Sequence, residues 1–174
     1  MLESEFEYPP NLVREHLKHA AHDSRRLLAV YDRCVLQLIH GVDRLERVVI
    51  IRADFDDKTS REFVALINPE IVKAEGEIIS DYEGCLSVKD IYGKVPRHSK
   101  IRIKALDRDG HEVRFKAEGF LARVIQHEID HTNGVLFIDH IRDQTQAFYR
   151  LNEKGELKPL DYDEHIKDNT GLWD

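Results

Sequence analysis

In Gln126-His127-Glu128-Ile129-Asp130-His131, two imidazoles stand four residues apart and a carboxylate follows the first. On a helix that spacing puts His127 and His131 on one face, one turn apart, where both can bind a single metal ion. Glu128 can then reach a water on that ion, which is the working part of an HExxH arrangement. The flanks favour a helix. Phe120, Leu121, Val124, Ile125 and Ile129 recur at helical spacing, and Asn133-Gly134 offers a left-handed C-cap. Two ligands do not complete a site. A third is needed, with a position left open to water if the site is catalytic.

Two residues are candidates for the third ligand. Cys85, in Glu83-Gly84-Cys85-Leu86-Ser87, brings a thiolate, and His140 brings a further imidazole. A thiolate with two imidazoles suits zinc or iron and leaves the fourth position free. Most lone cysteines are small buried apolar residues. Here, however, Gly84 permits close backbone approach, and the polar Glu83 and Ser87 are odd company for a core cysteine. Spacing alone leaves both candidates standing.

Glu83-Gly84-Cys85-Leu86-Ser87 and Gln126 to His131 resemble the second and third signature motifs of the peptide deformylases. The run Asn133-Gly134-Val135-Leu136-Phe137-Ile138-Asp139-His140 and the segment Asn68-Pro69-Glu70-Ile71 are also similar to that family, so the resemblance spans roughly residues 44 to 142. It implies Cys85, His127 and His131 as metal ligands, Glu128 as the catalytic carboxylate, and the Leu86 N–H as a donor to the developing oxyanion. It implies a metal-dependent hydrolase that removes the formyl group from N-terminal formyl-methionine. Iron(II) is the metal it implies, with zinc or nickel able to occupy the site. The implied partners are N-formylated nascent peptides and, with them, the ribosome. Glu83 and Arg97 join as substrate-binding candidates, Arg97 because it precedes a strand and can line a cleft.

One signature of the family is absent. Its Gly-rich first motif, ending in a Gln that helps hold the substrate carbonyl oxygen, has no counterpart here. The equivalent region reads Tyr31-Asp32-Arg33-Cys34-Val35-Leu36-Gln37-Leu38-Ile39-His40-Gly41, in which Gln37 is the local candidate for substrate contact. The expectation is slow deformylation. The other reading is a deformylase-like protein with weak or no activity that keeps its metal for structure or partner binding. A protease of the HExxH type shares the helix but not the cysteine-bearing stretch.

The elements that must position these residues point to an α+β fold of short antiparallel strands around a central metal-binding helix. The 174 residues fit one domain, with a helical N-terminal segment over 1–41 and a C-terminal hairpin and tail over 143–174. Val13, Leu17, Ala20, Leu27, Tyr31, Val35 and Leu38 give the first segment its rhythm, so residues 27–40 read as a continuation of that helix. His16, His19 and His22 on it read as solvated. Val48-Val49-Ile50-Ile51 reads as a buried strand, Asp54 to Arg61 as a charged loop, and Phe63 to Ile67 as a strand ended by Asn68-Pro69. Ile71 to Ser80 continues extended, and a loop holds Cys85. Val95 to His98 leads into a strand over Ile101 to Ala105, and Asp109-Gly110 turns the chain into a return strand through Val113, Phe115 and Ala117. Phe148 to Leu151 and Glu156 to Leu160 form a last hairpin, after which Trp173 either docks or frays.

Composition narrows the function. With 41% hydrophobic and 34% charged residues the chain reads as a soluble globular protein. A formal net charge of -7 argues against general nucleic-acid or anionic-membrane binding. Met1 to Pro10 has acids and no apolar run, so no secretory signal is read there. With Cys85 as a ligand, Cys34 is left alone, which points to a reducing, cytoplasmic setting.

Overall fold

The computed structural model describes residues 34–36, 47–52, 63–152 and 155–169. Its strands are β1 (Cys34–Leu36), β2 (Val48–Arg52), β3 (Phe63–Cys85), β4 (Val88–Leu106), β5 (Glu112–Glu118), β6 (Phe148–Leu151) and β7 (Leu157–Pro159). Between β5 and β6 lie helix α1 (Gly119–Thr132) and a 3₁₀ turn (Phe137–Ile141), and a short helix, α2 (Tyr162–His165), follows β7. Neighbouring strands pair antiparallel in the order β1-β2-β3-β4-β6-β7, with β5 also on β4. The far edge of β4 is shared. β6 meets Tyr92 and Gly93, and β5 meets Lys100 to Leu106.

Two strands are much longer than the short ones expected: β3 has 23 residues and β4 has 19. Asn68-Pro69 does not end β3. Asn68 takes a positive φ of 48° and the register shifts between Ile67 and Glu70, so the pair forms a bulge and the strand resumes. Val95 to His98 is likewise not a lead-in but lies inside β4, proline included. Lys94 N donates to Ala147 O on the β6 edge, so the nitrogen of Pro96, two residues on, faces the same edge. Among the described residues no strand pairs with that edge between the β6 and β5 pairings, so proline removes no ladder bond there.

A second correction concerns residues 27–40. Cys34–Leu36 is not helical but a strand, with Cys34 opposite Ile51 and Leu36 opposite Val49. The unsatisfied edge of β2 outweighs a helical rhythm in the sequence, because buried backbone groups demand partners. The rest of the N-terminal helix, Gln37, the loop from Asp54 to Arg61, and Trp173 lie outside the described residues.

Two apolar clusters flank the middle of the ribbon formed by β3 and β4. In the first, Val49, Ile51, Leu66, Ile101, Ile103 and Ala117 pack under Ala122, Val124, Ile125 and Ile129 of α1. In the second, Val88, Ile91 and Val95 of β4 meet Phe137, Ile138, Ile141, Phe148 and Ile166. Phe120, which shares the helical rhythm, is 49% exposed at the start of α1. The helix ends in a Schellman motif. Gly134, at φ 75°, donates to His131 O, and Val135 donates to Asp130 O.

Gly93 lets the second cluster close on β4. A Cβ there would stand 2.5 Å from Ile141 Cδ1 and 2.8 Å from Phe137 Cε2. Gly93→Ala is therefore expected to destabilise the fold by about 1–3 kcal/mol through overpacking. An unchanged urea midpoint would show that the cluster can shift to admit the methyl.

Candidate metal centre

Helix α1 presents His127 and His131 on one face, and the β3–β4 turn brings Cys85 to meet them. Cys85 ends β3 at a two-residue turn, Leu86-Ser87, rather than sitting in a longer loop. Its Sγ is 3.1 Å from His131 Nε2, which is 3.0 Å from His127 Nε2. The three ligand atoms lie within 4.8 Å of one another. Ser87 N donates to Cys85 Sγ at 3.4 Å. The His127 ring stacks on Phe137 with centroids 6.2 Å apart. His140, the other candidate third ligand, is outside this group, and its Nε2 contacts Asp130 Oδ2 at 2.7 Å.

Glu83 explains why His127 faces inward. Its Oε2 accepts from His127 Nδ1 at 2.9 Å, so Nδ1 keeps its proton, and in the neutral ring the Nε2 lone pair points toward Cys85 and His131. A carboxylate that fixes the tautomer of a ligating histidine is a recurring companion of metal sites. Glu83 Oε1 and Oε2 each accept from Arg97 at 3.0 Å, and Oε1 also accepts from Arg123 at 2.8 Å. Arg97 bonds onward to Asp130 of α1. Gln126 ties the helix to β4, donating to His98 O at 2.9 Å and accepting from His98 N at 3.2 Å.

Glu83 and Arg97 were expected at the substrate cleft. The structure buries both, 7% and 5% exposed, and uses their polar atoms on one another and on the ligand helix. Glu128 is buried beside His127 at 4% exposure. Leu86 sits in the turn next to Cys85 with its side chain 47% exposed. The sequence reading missed Arg123. Its position four residues before His127 puts a charge in the ligand-bearing stripe, and that was the available signal.

Titration in the metal-free chain follows from these contacts. Burial pushes the Cys85 thiol up, but hydrogen bonds to His127 and His131 outweigh it and bring it down to about 5. Burial pushes His127 down, yet its bonds to Cys85 and Glu83 hold it up at about 10. Burial raises Glu83, and its bonds to His127 and Arg97 reverse that and bring it down to about 2. One soft sulfur and two imidazole nitrogens, converging with the His127 ring oriented by Glu83, form a donor set that fits a transition-metal dication.

The family model described as polypeptide deformylase matches residues 41–147. A peptide deformylase of Thermomicrobium roseum is 48% identical over 117 residues, covering 67% of this chain and 66% of the relative. One of Brachyspira hyodysenteriae is 46% identical over 118 residues, covering 67% and 61%. The chain thus spans a little under two thirds of the length of these curated relatives. Among solved structures, the peptide deformylase of Thermotoga maritima aligns with TM-score 0.60 at 34% identity, over 72% of this chain and 81% of that one. The actinonin-bound class I type b enzyme of Acinetobacter baumannii aligns with TM-score 0.58 at 30% identity, over 81% and 87%.

Glu83 also sets an acid limit. Its folded pKa lies below the ordinary 4.5, so its contribution to stability is complete above about 4.5 and is lost as pH falls toward about 2. Denaturant titrations of metal-free protein between pH 5 and about 2 are expected to show this decline, and Glu83→Gln is expected to flatten it. An equally steep decline in the variant would assign it to another group.

Proposed function

The chain belongs to the polypeptide deformylase family, and on that premise we propose that it is a metal-dependent hydrolase that removes the N-formyl group from the N-terminal formyl-methionine of nascent peptides. The observation that carries this reading is the convergence of Cys85, His127 and His131 beside Glu128, with Glu83 orienting His127. When bound, a divalent cation held by those three residues supplies Lewis acidity, lowering the pKa of water and polarising a carbonyl. The cluster's formal charges favour a dication. With both ligand imidazoles neutral, as metal binding requires, Cys85 as thiolate, Glu83, Glu128 and Asp130 count as negative and Arg97 and Arg123 as positive, leaving two negative charges in excess. Iron(II) is the ion proposed, and zinc or nickel suits the same donors.

The chain's own groups divide the work of hydrolysis. Glu128, next to His127 on α1, takes a proton from the attacking water and delivers it to the leaving amine nitrogen, giving formate and a free N-terminus. The Leu86 N–H, in the turn beside Cys85, donates to the oxygen that gains negative charge. Glu83 and Arg97 hold the ligand helix against the hairpin instead of contacting substrate. The N-formylated nascent peptide, met at the ribosome, is the proposed partner, and a reducing cytoplasm suits an unpaired ligand thiolate.

No Gly-rich segment ending in Gln precedes β2, so one donor to that oxygen is missing from the sequence. Loss of one such donor lowers rate by about 10²–10³. The expected outcome is metal-dependent formate release, well below that of a deformylase with all three motifs, with Gln37 the local candidate to replace the donor. No turnover in an iron-loaded, anaerobic sample would favour the non-catalytic reading.

Cys85→Ala and His131→Ala are each expected to lose stoichiometric metal, since each removes one of three protein ligands. Full metal content in both variants by elemental analysis would sink the assignment. Glu128→Gln is expected to keep metal and lose turnover, because an amide cannot shuttle the proton. Wild-type deformylation by that variant would leave Glu128 without the acid–base role.

A further inference from the structure

We propose that Arg123 is a positioning residue of the metal centre, fastening the Cys85-bearing hairpin to the helix that carries His127 and His131. The inference rests on the metal-site reading above. Arg123 is 8% exposed and lies four residues before His127 on the same face of α1. Its Nη1 donates to Glu83 Oε1 and to Val95 O, both at 2.8 Å, and more weakly to Asp81 O at 3.4 Å. Its Nη2 donates to Ile79 O at 2.5 Å. One guanidinium from the helix therefore holds β3 by two carbonyls and a side chain, and β4 by one carbonyl.

The division of labour with Arg97 follows from where each originates. Arg97 belongs to the hairpin and reaches α1 through Asp130, whereas Arg123 belongs to α1 and reaches the hairpin. The two ties cross, and together they remove the hinge freedom that one alone would leave. Cys85 is four residues beyond Asp81, on the order of 13 Å along the strand. A small rotation of the hairpin about its base thus becomes a displacement of Sγ large against its 3.1 Å separation from His131 Nε2. Lysine keeps the charge but not the planar fork, so it cannot bind both strands and Glu83 together.

The test is titration of the metal-free full chain with cobalt(II), followed by the thiolate-to-cobalt charge-transfer absorption. Arg123→Met is expected to raise the cobalt Kd by about 10–100-fold and to weaken or shift that band. Arg123→Lys is expected to fall between it and the wild type. Arg102→Met, which removes an exposed pairing with Glu75 away from the site, is expected to change neither. Wild-type affinity and band in Arg123→Met overturn the proposal; should that variant not fold, the same result in Arg123→Lys does so. An equal loss in Arg102→Met also overturns it, since the effect would then be general. The underlying reading fails separately if Cys85→Ala binds cobalt with the wild-type affinity and band.

Discussion

The site depends on one carboxylate and the bonds that fill it. Glu83 Oε1 accepts from Arg97 Nε and Arg123 Nη1, and Oε2 accepts from Arg97 Nη2 and His127 Nδ1. Four donors match the roughly four lone-pair positions of a carboxylate. Such saturation lets a charge sit 7% exposed between two apolar clusters. The desolvation penalty is large, and only a fully bonded arrangement offsets it. The donors come from β4 and from two positions of α1, so satisfying Glu83 fixes hairpin and helix together.

That coupling gives the two apolar clusters a shared task. The first seats the middle of α1 on the sheet through Val124, Ile125 and Ile129. The second draws the 3₁₀ turn onto the start of β4, next to the Leu86-Ser87 turn, and brings Phe137 behind His127. The polar network lies between them, with Arg97 between Val95 of the second and Ile101 of the first along β4. Apolar packing supplies the non-directional energy and the network supplies direction.

Features carried by local chemistry were legible in the sequence. The helical rhythm through Ile129, the Gly134 cap, the Asp109-Gly110 turn and the hairpin after Phe148 all correspond to elements of the fold. Cys85 was readable as a ligand candidate because its neighbours did not suit a core cysteine. What escaped was set by long-range partners. Asn68-Pro69 looks like a stop because proline lacks an N–H, yet a bulge carries the strand past it. Cys34 to Leu36 fits a helix in isolation and pairs because β2 offers an edge. Arg97 precedes a strand and Arg123 lies in a helical stripe, but nothing local to either shows that Glu83 lies between them. Periodicity cannot reveal a buried ion cluster whose members are 14 and 40 residues apart.

The alternation along β3 has a consequence for how the chain tolerates changes of length. Glu83 and Cys85 share one side of the strand, while Tyr82 and Gly84 share the other, where Gly84 lies against the Tyr92 ring. Adding or deleting one residue between Asp81 and Cys85 would exchange the two sides at a stroke, turning carboxylate and thiol to solvent and a tyrosine toward the helix. The register already slips between Ile67 and Glu70 and between Glu75 and Ile78. Length variation upstream can be absorbed at those irregularities before it reaches the tip. The slack of β3 therefore lies upstream of Asp81, whereas the irregularity beside the tip, between Gly84 and Cys85, falls on β4.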